Sequence, residues 1–311
     1  MLEFKKLGGD VKVIEKYLAQ SSISFCDISL GIKYMWRDDF VIDYAIYNDT
    51  LIMKETSPDY NDAFYYPMGA DIGGALQEIE IYCKKKNLPL KFCCLDNLVA
   101  AALSKRYYSV NIYNDRDWSD YIYDAEKFKT YSGKKFSGQR NHVNKFKRNY
   151  PDYKFKIIEE CDFLRIKEFL NEFESKNEFL RWTEAVEQRK VFDLVENSFI
   201  LNQVGGLIEI GGKVVAFSVG ERLGNTLIVH IEKALKNYDG IYPTMAQEFA
   251  KAFAVDGVKY INREEDCGDI GLRISKLQYQ PIEIKEKNFL QVKTLIEKIT
   301  SPTLIKPKDL P

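Results

Sequence analysis

The densest set of reactive side chains follows a short apolar segment late in the chain. NREEDCGD (262–269) places three consecutive acids directly after VKYIN (258–262), which has the pattern of a strand. Ligands of open α/β sheets gather at the carboxyl ends of strands. Acids at such an end can bind an ammonium group or raise one another's pKa, and Asn262 and Arg263 can hold the loop or an acyl carbonyl. A solvated acidic loop is the alternative interpretation.

A histidine and a glutamate lie on the preceding strand-like segment, NTLIVHIEKA (225–234). Side chains alternate between the faces of a strand, so His230 and Glu232 are predicted to share one face. A histidine of near-neutral pKa can take the proton of an attacking amine, and Glu232 can orient it or act as the base. We expect Glu264 and Glu265 to converge on the same place. A hydrogen-bonded structural histidine explains His230 as well.

The segment YDGIYPT (238–244) begins a predicted helix, with Pro243 in its first turn. Unpaired amides and the helix dipole favour an anion at such a start, so a phosphate group can bind there. Gly240 allows close backbone approach, and the hydroxyls of Tyr242 and Thr244 can donate hydrogen bonds. Tyr242 is also a catalytic candidate. An ordinary capped helix is the alternative.

Two cations three residues apart, Arg273 and Lys276, fall on the next predicted helix and can face a phosphate or the preceding acids. Tyr279 is a candidate general acid or an aromatic at the edge of the core. The residues predicted to bind a phosphorylated ligand are Gly240, Ile241, Tyr242, Thr244, Asn262, Arg263, Arg273 and Lys276; if the protein transfers an acyl group, this ligand is the acyl donor. No metal ligand set is predicted, because the two histidines are far from any cysteine pair.

The order of predicted elements indicates an α/β fold with mixed sheets. The second half reads β-α-α-β-β-β-α-β-α-β, with hairpin turns at Gly211-Gly212 and Gly224-Asn225. The first half repeats a shorter version, including a turn at Asn48-Asp49 and a helix capped by Asp71. The expected domains are 1–130, a connecting helix at 131–152, and 153–311 with the active site.

The connecting segment is strongly basic. Between Lys134 and Arg148 it carries six cations and no acid, and Ser137 is a candidate helix cap. A solvated helix face and a phosphate-binding surface both explain this run. The candidate polyanion-binding residues are Lys135, Arg140, Lys145, Lys147 and Arg148, with Arg140, Lys147 and Arg148 on one helical face together with Asn144.

Composition excludes several classes of protein. The 311 residues are 45% hydrophobic and 29% charged, which is typical of globular domains and allows two cores. With 45 basic and 46 acidic residues, no global field attracts nucleic acid or membrane. The six cysteines form no CxxC pair, and the N-terminus lacks a signal-peptide core, so a reduced cytoplasmic protein is expected, with no transmembrane segment.

Four strings carry a resemblance to a known family. They are YIYDAEKFKTYSGKKFSGQRNHVNKF (121–146), VHIEKA (229–234), YDGIYPTMAQEF (238–249) and YINREEDCGDIGLRISKLQYQP (260–281). Together they resemble the bacterial family related to the C-terminal domain of phosphatidylglycerol lysyltransferases. The resemblance implies a tandem pair of GNAT-like (acyl-CoA N-acyltransferase) domains, a plan that Fem-type aminoacyltransferases share. YDGIYPT departs from the usual GNAT signature for acetyl-CoA.

The resemblance implies an acyltransferase that moves an aminoacyl or acyl group from aminoacyl-tRNA or acyl-CoA. The acceptor is an amine or hydroxyl on a small molecule, lipid or peptide, and no tightly bound cofactor is expected. Two alternatives remain. A non-catalytic module with this fold recognises an aminoacylated or phosphorylated ligand, and an adaptor binds nucleic acid through the basic segment with steep salt dependence.

Overall fold

The chain folds into two compact units in a computed structural model that describes residues 2–21, 25–56, 62–175 and 182–293. Unit 1 comprises Met1–Ser21, Arg37–Asp115 and Lys287–Pro311. Unit 2 comprises Ser22–Trp36 and Arg116–Glu286. Within the described residues, no helix is long and apolar enough to cross a membrane.

Helices and strands alternate along the chain, as the sequence predicts. The helices are α1 Lys12–Leu18, α2 Leu30–Met35, α3 Ile72–Lys86, α4 Asn97–Tyr107, α5 Ala125–Thr130, α6 Ser137–Asn149, α7 Phe163–Ser175, α8 Trp182–Glu196, α9 Ile241–Phe253 and α10 Ile270–Gln278. The strands are β1 Lys5–Lys6, β2 Val41–Tyr47, β3 Thr50–Thr56, β4 Ala63–Phe64, β5 Met68–Gly69, β6 Lys91–Leu95, β7 Val110–Asn114, β8 Asp120–Asp124, β9 Lys154–Ile157, β10 Val204–Ile210, β11 Lys213–Leu223, β12 Thr226–Ala234, β13 Tyr260–Asn262, β14 Glu283–Lys285 and β15 Asn288–Val292.

Each unit is built on its own mixed sheet. In unit 1 the strand order is β1-β2-β3-β4-β6-β15-β7, and β5 also pairs with β3. In unit 2 the order is β14-β8-β13-β12-β11-β10-β9. Neighbours are antiparallel except for β4 with β6 and β12 with β13, which are parallel. The predicted α/β class with mixed sheets is therefore confirmed.

The structural division differs from the expected domains 1–130, 131–152 and 153–311. Strand β8 pairs with β13 and β14 in unit 2, whereas β15 pairs with β6 and β7 in unit 1. Residues 22–36, with α2, also belong to unit 2. These exchanges depend on hydrogen bonds between distant segments, which leave no trace in local periodicity. Residues 294–311 of the expected second domain lie outside the described residues.

The structure confirms the predicted turns and the predicted Asp71 helix cap. The hairpin turn at Asn48-Asp49 has positive φ at both residues, as does Gly211-Gly212. The side chain of Asp71 caps α3 by accepting a hydrogen bond from the Gly74 amide at 2.9 Å. Ser137 is not a cap, because a 3₁₀ turn over Lys134–Phe136 leads into α6 and makes Ser137 its first residue.

Two layers of helices enclose the sheet of unit 2. On one face α5, α6 and α9 pack an aromatic core that includes Phe128, Phe146 and Phe249. On the other face Phe169 of α7 meets Phe217 of β11 edge to face, with ring centroids 5.3 Å apart. The α6 segment is therefore part of the core of unit 2 and not a connector between domains.

A bulge interrupts the ladder between β11 and β12 beside the candidate site. Val219 pairs with Ile231, but the next residue, Gly220, pairs with Val229, so His230 is the additional residue. Bulges redirect side chains and often lie next to functional sites. A Cβ on Gly220 would lie 2.1 Å from the Ile228 carbonyl oxygen, so only glycine fits where the bulged strand comes this close.

Gly220→Ala is expected to destabilise the protein by about 1–3 kcal/mol, because the backbone must move to admit the methyl group. Chemical denaturation of the purified variant measures this free energy of unfolding. Gly138→Ala on α6 is the matched control, since nothing lies within 4 Å of its Cβ position. That control should be neutral or stabilising by about 0.5–1 kcal/mol. Equal effects of both substitutions would contradict the assigned register.

Candidate active site

The site lies where the two parallel strands of unit 2 stop pairing. Thr226 to Ile228 of β12 pair with Tyr260 to Asn262 of β13, yet β12 continues to Ala234. Beyond Ile228, the backbone hydrogen bonds between β12 and β13 end, and charged side chains of β12 contact charged side chains of the loop after β13. His230 meets Glu264, and Glu232 meets Arg263.

These two pairs lie on opposite faces of the sheet. Glu232 is opposite Ser218 and lies with Val229 and α9 residues around one cavity, whereas His230 approaches Gly31 of α2. The prediction that His230 and Glu232 share a face is therefore wrong. Strict alternation fails because the bulge at His230 resets it.

His230 and Glu264 form a short buried pair. Nδ1 of His230 lies 2.7 Å from Oε1 of Glu264, and the side chains are 0% and 16% exposed. Nε2 of His230 lies 3.7 Å from Oε2 of Glu221, an ion-pair distance too long for a hydrogen bond. Of the described residues none offers this Nε2 a hydrogen-bond partner. The predicted convergence of His230 and Glu264 is observed, with Glu221 as an unpredicted third member.

The first turn of α2 holds Glu221 in place. The amides of Leu30 and Gly31 donate to its two carboxylate oxygens at 2.9 and 3.0 Å, and Nε2 of Gln203 donates at 2.6 Å. A Cβ on Gly31 would lie 2.6 Å from Gln203 Oε1 and 2.7 Å from His230 Nε2. Helix α2 thus packs directly on the histidine, and its glycine makes this possible.

The three titratable groups have shifted pKa values for distinct reasons. Burial opposes a charged imidazole, but Glu221 and Glu264 outweigh it and raise the pKa of His230 to about 9. Burial raises the pKa of Glu264 to about 7, against the lowering effect of His230. Burial would raise the pKa of Glu221, yet the neighbouring His230, with the donors Gln203 and Gly31, keeps that pKa below its usual value. At neutral pH His230 is therefore a cation, and Glu264 is the member suited to accept a proton.

Glu265 lies in a separate acidic group. Cys26 Sγ is 3.1 Å from Glu265 Oε1 and 3.3 Å from Asp120 Oδ1, and Asp120 also accepts from the Cys26 amide and from Asn262. In the part of the chain that the structure describes, one group has its potential metal ligands close together: ligand atoms of Cys26, Asp27, Asp120 and Glu265 lie within 4.8 Å of one another. These contacts attach the chain before α2 to β8 and to the acidic loop.

On the opposite face, Glu232 and Arg263 form a buried ion pair at 2.8 Å. Arg263 stacks on Tyr279 with its guanidinium 4.5 Å from the ring centre. Burial raises the pKa of Tyr242 to about 12 and raises that of Tyr279 as well, so neither phenol is suited to proton transfer at neutral pH. The adjoining cavity, about 10 Å³, holds one water at most.

The start of α9 differs from the predicted phosphate site. Gly240 has φ +82°, and a Cβ there would lie 2.1 Å from the His142 carbonyl oxygen of α6. The backbone of α6, and not a ligand, is therefore the group that lies close to Gly240. Ile241 is buried, and the Thr244 hydroxyl donates to the Gly240 carbonyl oxygen at 2.8 Å.

The other predicted donor-binding residues hold the acidic loop together. Asn262 accepts from the Glu264 amide at 2.8 Å. Arg273 binds Asp266 and Asp117, and the Lys276 ammonium donates to the carbonyl oxygens of Arg263, at 2.5 Å, and Glu265. The two cations therefore bind groups of the protein itself, and together with Asn262 they hold the loop that carries Glu264 in place.

The basic segment divides into engaged and exposed cations. Arg140 donates to the carbonyl oxygens of Tyr131 and Gly133, and Lys147 pairs with Glu248 at 3.2 Å. Lys145 forms a surface pair with Asp239. The remaining cations, Lys134, Lys135 and Arg148, are exposed. The predicted face of Arg140, Lys147 and Arg148 is therefore only partly available.

The sequence patterns do not predict three of the site residues, Glu221, Gln203 and Gly31. A signal existed for Glu221, which directly follows Gly220 in the strand KVVAFSVGERL, whose central residues are mostly apolar. An acid in a buried strand is costly unless it is paired, which makes it a functional candidate.

Comparison with known proteins identifies the family. Residues 21–290 match the family model described as phosphatidylglycerol lysyltransferase, C-terminal. The chain belongs to this family. Two solved structures have similar folds: a conserved protein of unknown function from Bacteroides thetaiotaomicron (30% identity, TM-score 0.84, 94% of this chain and 100% of that one) and L-PGS from Bacillus licheniformis (16% identity, TM-score 0.64, 94% and 95%).

One protein with a related sequence is itself uncharacterised, so it indicates no activity for this chain. An uncharacterised protein of Mycoplasmoides gallisepticum is 25% identical over 211 residues, 64% of this chain and 64% of its own length. The chain thus spans less than two thirds of this relative. The family resemblance expected from the sequence is confirmed, and so is the expected fold, which matches that of L-PGS.

The proton on His230 is expected to stabilise the fold in a pH-dependent way. Its folded pKa of about 9 lies above the ordinary 6.5, so the stabilisation is complete below pH 6.5 and is lost as pH rises through 9. The melting temperature of the wild type should exceed that of His230→Gln most strongly below pH 6.5, and the difference should shrink above pH 9. His142→Gln, which alters the exposed histidine on α6, serves as control. A difference independent of pH would contradict the charged histidine.

Proposed function

We propose that unit 2 transfers an aminoacyl group from aminoacyl-tRNA to an amine or hydroxyl acceptor. The observation that carries the proposal is the His230–Glu264 pair at the parted strand ends, in which a partly exposed carboxylate has a pKa of about 7. Membership in the phosphatidylglycerol lysyltransferase C-terminal family supports the reaction class. The acceptor is defined only by its nucleophilic nitrogen or oxygen.

The proposed chemistry assigns one role to each residue. The acceptor nitrogen or oxygen bonds to the carbonyl carbon of the aminoacyl ester, and the ester bond to the tRNA ribose breaks. Glu264 takes the acceptor's proton, which is returned to the leaving ribose oxygen. His230 touches Glu264 from the buried side and acts as a positioning residue, while Glu221 and α2 hold the histidine.

The environment of α9 favours tRNA over acyl-CoA as the donor. In this fold acyl-CoA phosphates are expected at the helix start, but α6 packs against Gly240 and the Thr244 hydroxyl bonds within the helix. A tRNA can instead be held by cations on the exposed side of α6. Lys145 and Arg148 lie there, toward the end of the helix.

A non-catalytic binding module is the second candidate, and one observation favours it. The His230 side chain has no exposed surface, so the imidazole cannot touch a substrate and is equally suited to a purely structural role in a binding module. A binding module would retain its affinity for aminoacyl-tRNA in both wild type and site variants and would release no deacylated tRNA in either.

Glu264→Gln is expected to lower the rate of aminoacyl transfer by about 10²–10⁴-fold, the usual contribution of a general base. Release of deacylated tRNA from aminoacyl-tRNA, with a panel of amine and hydroxyl acceptors, measures the rate. Glu126→Gln, which changes a carboxylate that is 77% exposed, should leave it unchanged. Turnover by Glu264→Gln at the wild-type rate would reject Glu264 as the base, and absence of turnover in the wild type would favour the binding module.

Lys145→Ala with Arg148→Ala is expected to weaken tRNA binding and to lower the slope of log affinity against log salt by about 1 per lost phosphate contact. Filter binding over a salt series measures both quantities. Arg140→Ala is the contrasting variant, because its guanidinium is tied to backbone carbonyls and its loss should lower stability with little effect on the slope. Lack of tRNA binding by the wild type at low salt would rule out this donor.

A further inference from the structure

One tryptophan is exposed on a turn beside the acidic loop. Trp118 is the last residue of a 3₁₀ turn, Arg116–Trp118, that leads into β8, and it is 45% exposed. Tryptophan side chains are highly buried on average, and those that remain at the surface are enriched where proteins contact a partner. An indole in this place is therefore a candidate for contact with a ligand.

The backbone is held on both sides of Trp118. The Asp117 carbonyl oxygen accepts from the Cys267 amide at 3.0 Å, and the Asp117 carboxylate accepts from Arg273 at 2.5 Å. On the other side, Ser119 has no exposed surface. A backbone fixed in this way lowers the entropy that is lost when the side chain between them binds a ligand.

The same contacts place Trp118 near the proposed base. The Tyr121 amide of β8 donates to the Glu264 carbonyl oxygen at 3.2 Å. Three residues further along the loop, Cys267 bonds to Asp117, which directly precedes Trp118. Three residues span at most about 10 Å of extended chain. In an aminoacyl-tRNA only the ribose separates the ester from the base of the terminal adenosine, so one nucleoside is long enough to connect the two places.

Among the described residues of unit 2, two other exposed aromatic side chains are less suited to this role. Phe199 packs on Phe163 of α7, with ring centroids 5.9 Å apart. Tyr260 begins β13, at the end of the strand opposite Glu264. Trp118 is therefore the exposed aromatic residue that adjoins the acidic loop.

We propose that Trp118 stacks on the adenine of the terminal adenosine of aminoacyl-tRNA, an inference that rests on the proposed function of unit 2. Single-stranded RNA ends are recognised largely by stacking of bases on aromatic side chains, because every base has a π face. Stacking anchors the donor beside Glu264 equally in the ground state and the transition state. Coenzyme A also carries an adenine and is the alternative source of this ligand.

The test is quenching of indole fluorescence in the full chain by an acceptor-stem hairpin RNA that ends in CCA. The hairpin should quench the wild type, whereas coenzyme A at the same concentration should not. Removal of only the terminal adenine, to leave an abasic ribose, should weaken binding at least about tenfold, the usual contribution of one stacked base.

Variants are compared by fluorescence anisotropy of the hairpin carrying a dye at its 5′ end. Trp118→Ala should weaken binding at least about tenfold, whereas Trp118→Phe should retain most of the affinity and lose the quenching. Tyr260→Ala, which removes an exposed aromatic residue at the far end of β13, should bind as the wild type does. Melting curves verify that each variant folds.

Kinetics provide a further measurement. Trp118→Ala should raise the KM for aminoacyl-tRNA with little change in kcat, because an interaction made equally in the ground and transition states is lost. An unchanged KM in this variant, beside an active wild type, would reject the stacking alone. Hairpin binding that depends on Trp118 in a protein without turnover would support the adenosine site and reject only the transfer reaction.

Three results of the binding assays would overturn the proposal. They are absence of quenching by the hairpin in the wild type, undiminished hairpin binding by Trp118→Ala, and equal binding of the intact and abasic hairpins. Quenching by coenzyme A that matches the hairpin's would assign the adenine to coenzyme A and reject tRNA as its source.

Discussion

The parting of β12 and β13 is the constraint on which the rest of unit 2 depends. Once the parallel ladder ends at Ile228, the segments are joined by buried side chains of opposite charge, His230 with Glu264 on one face and Glu232 with Arg263 on the other. A buried charge without its partner is strongly destabilising, so each pair needs further hydrogen bonds around it. This requirement explains the dense polar contacts around a three-residue strand.

The need to satisfy those charges draws in distant parts of the chain. Glu221 is kept ionised by the neighbouring His230 first, then by Gln203 and by the Gly31 amide of a helix 190 residues earlier, and its negative charge supports the imidazolium of His230. The histidine's charge in turn opposes the effect of burial on Glu264. The titrations of Glu264 and His230 are coupled, so a change at α2 that alters the charge of His230 also alters the pKa of Glu264.

The acidic loop imposes a similar demand on α10. Arg273 donates to Asp266, and Lys276 donates to the loop carbonyl oxygens. Burial lowers the pKa of Lys276, whereas Asp266 and Asp117 raise the pKa of Arg273. With its cations used inside, the helix presents isoleucine and leucine outward. The exposed stripe is thus a direct consequence of how the loop that carries Glu264 is anchored.

The sequence by itself determined the elements of unit 2 from β9 to α10, the glycine and asparagine turns, the Asp71 cap and the meeting of His230 with Glu264. These depend on local propensity and on strand ends that share an edge. Only the tertiary structure decided that Glu232 lies on the other face, that α6 covers Gly240, and that Glu221 and Gly31 complete the site. A bulge is set by pairing with a neighbouring strand, and the exchange of residues 22–36 and β15 between the units is set by contacts between segments far apart in the chain. Such contacts have no periodic signature in the sequence, because their energy resides in partners that only the folded chain brings together.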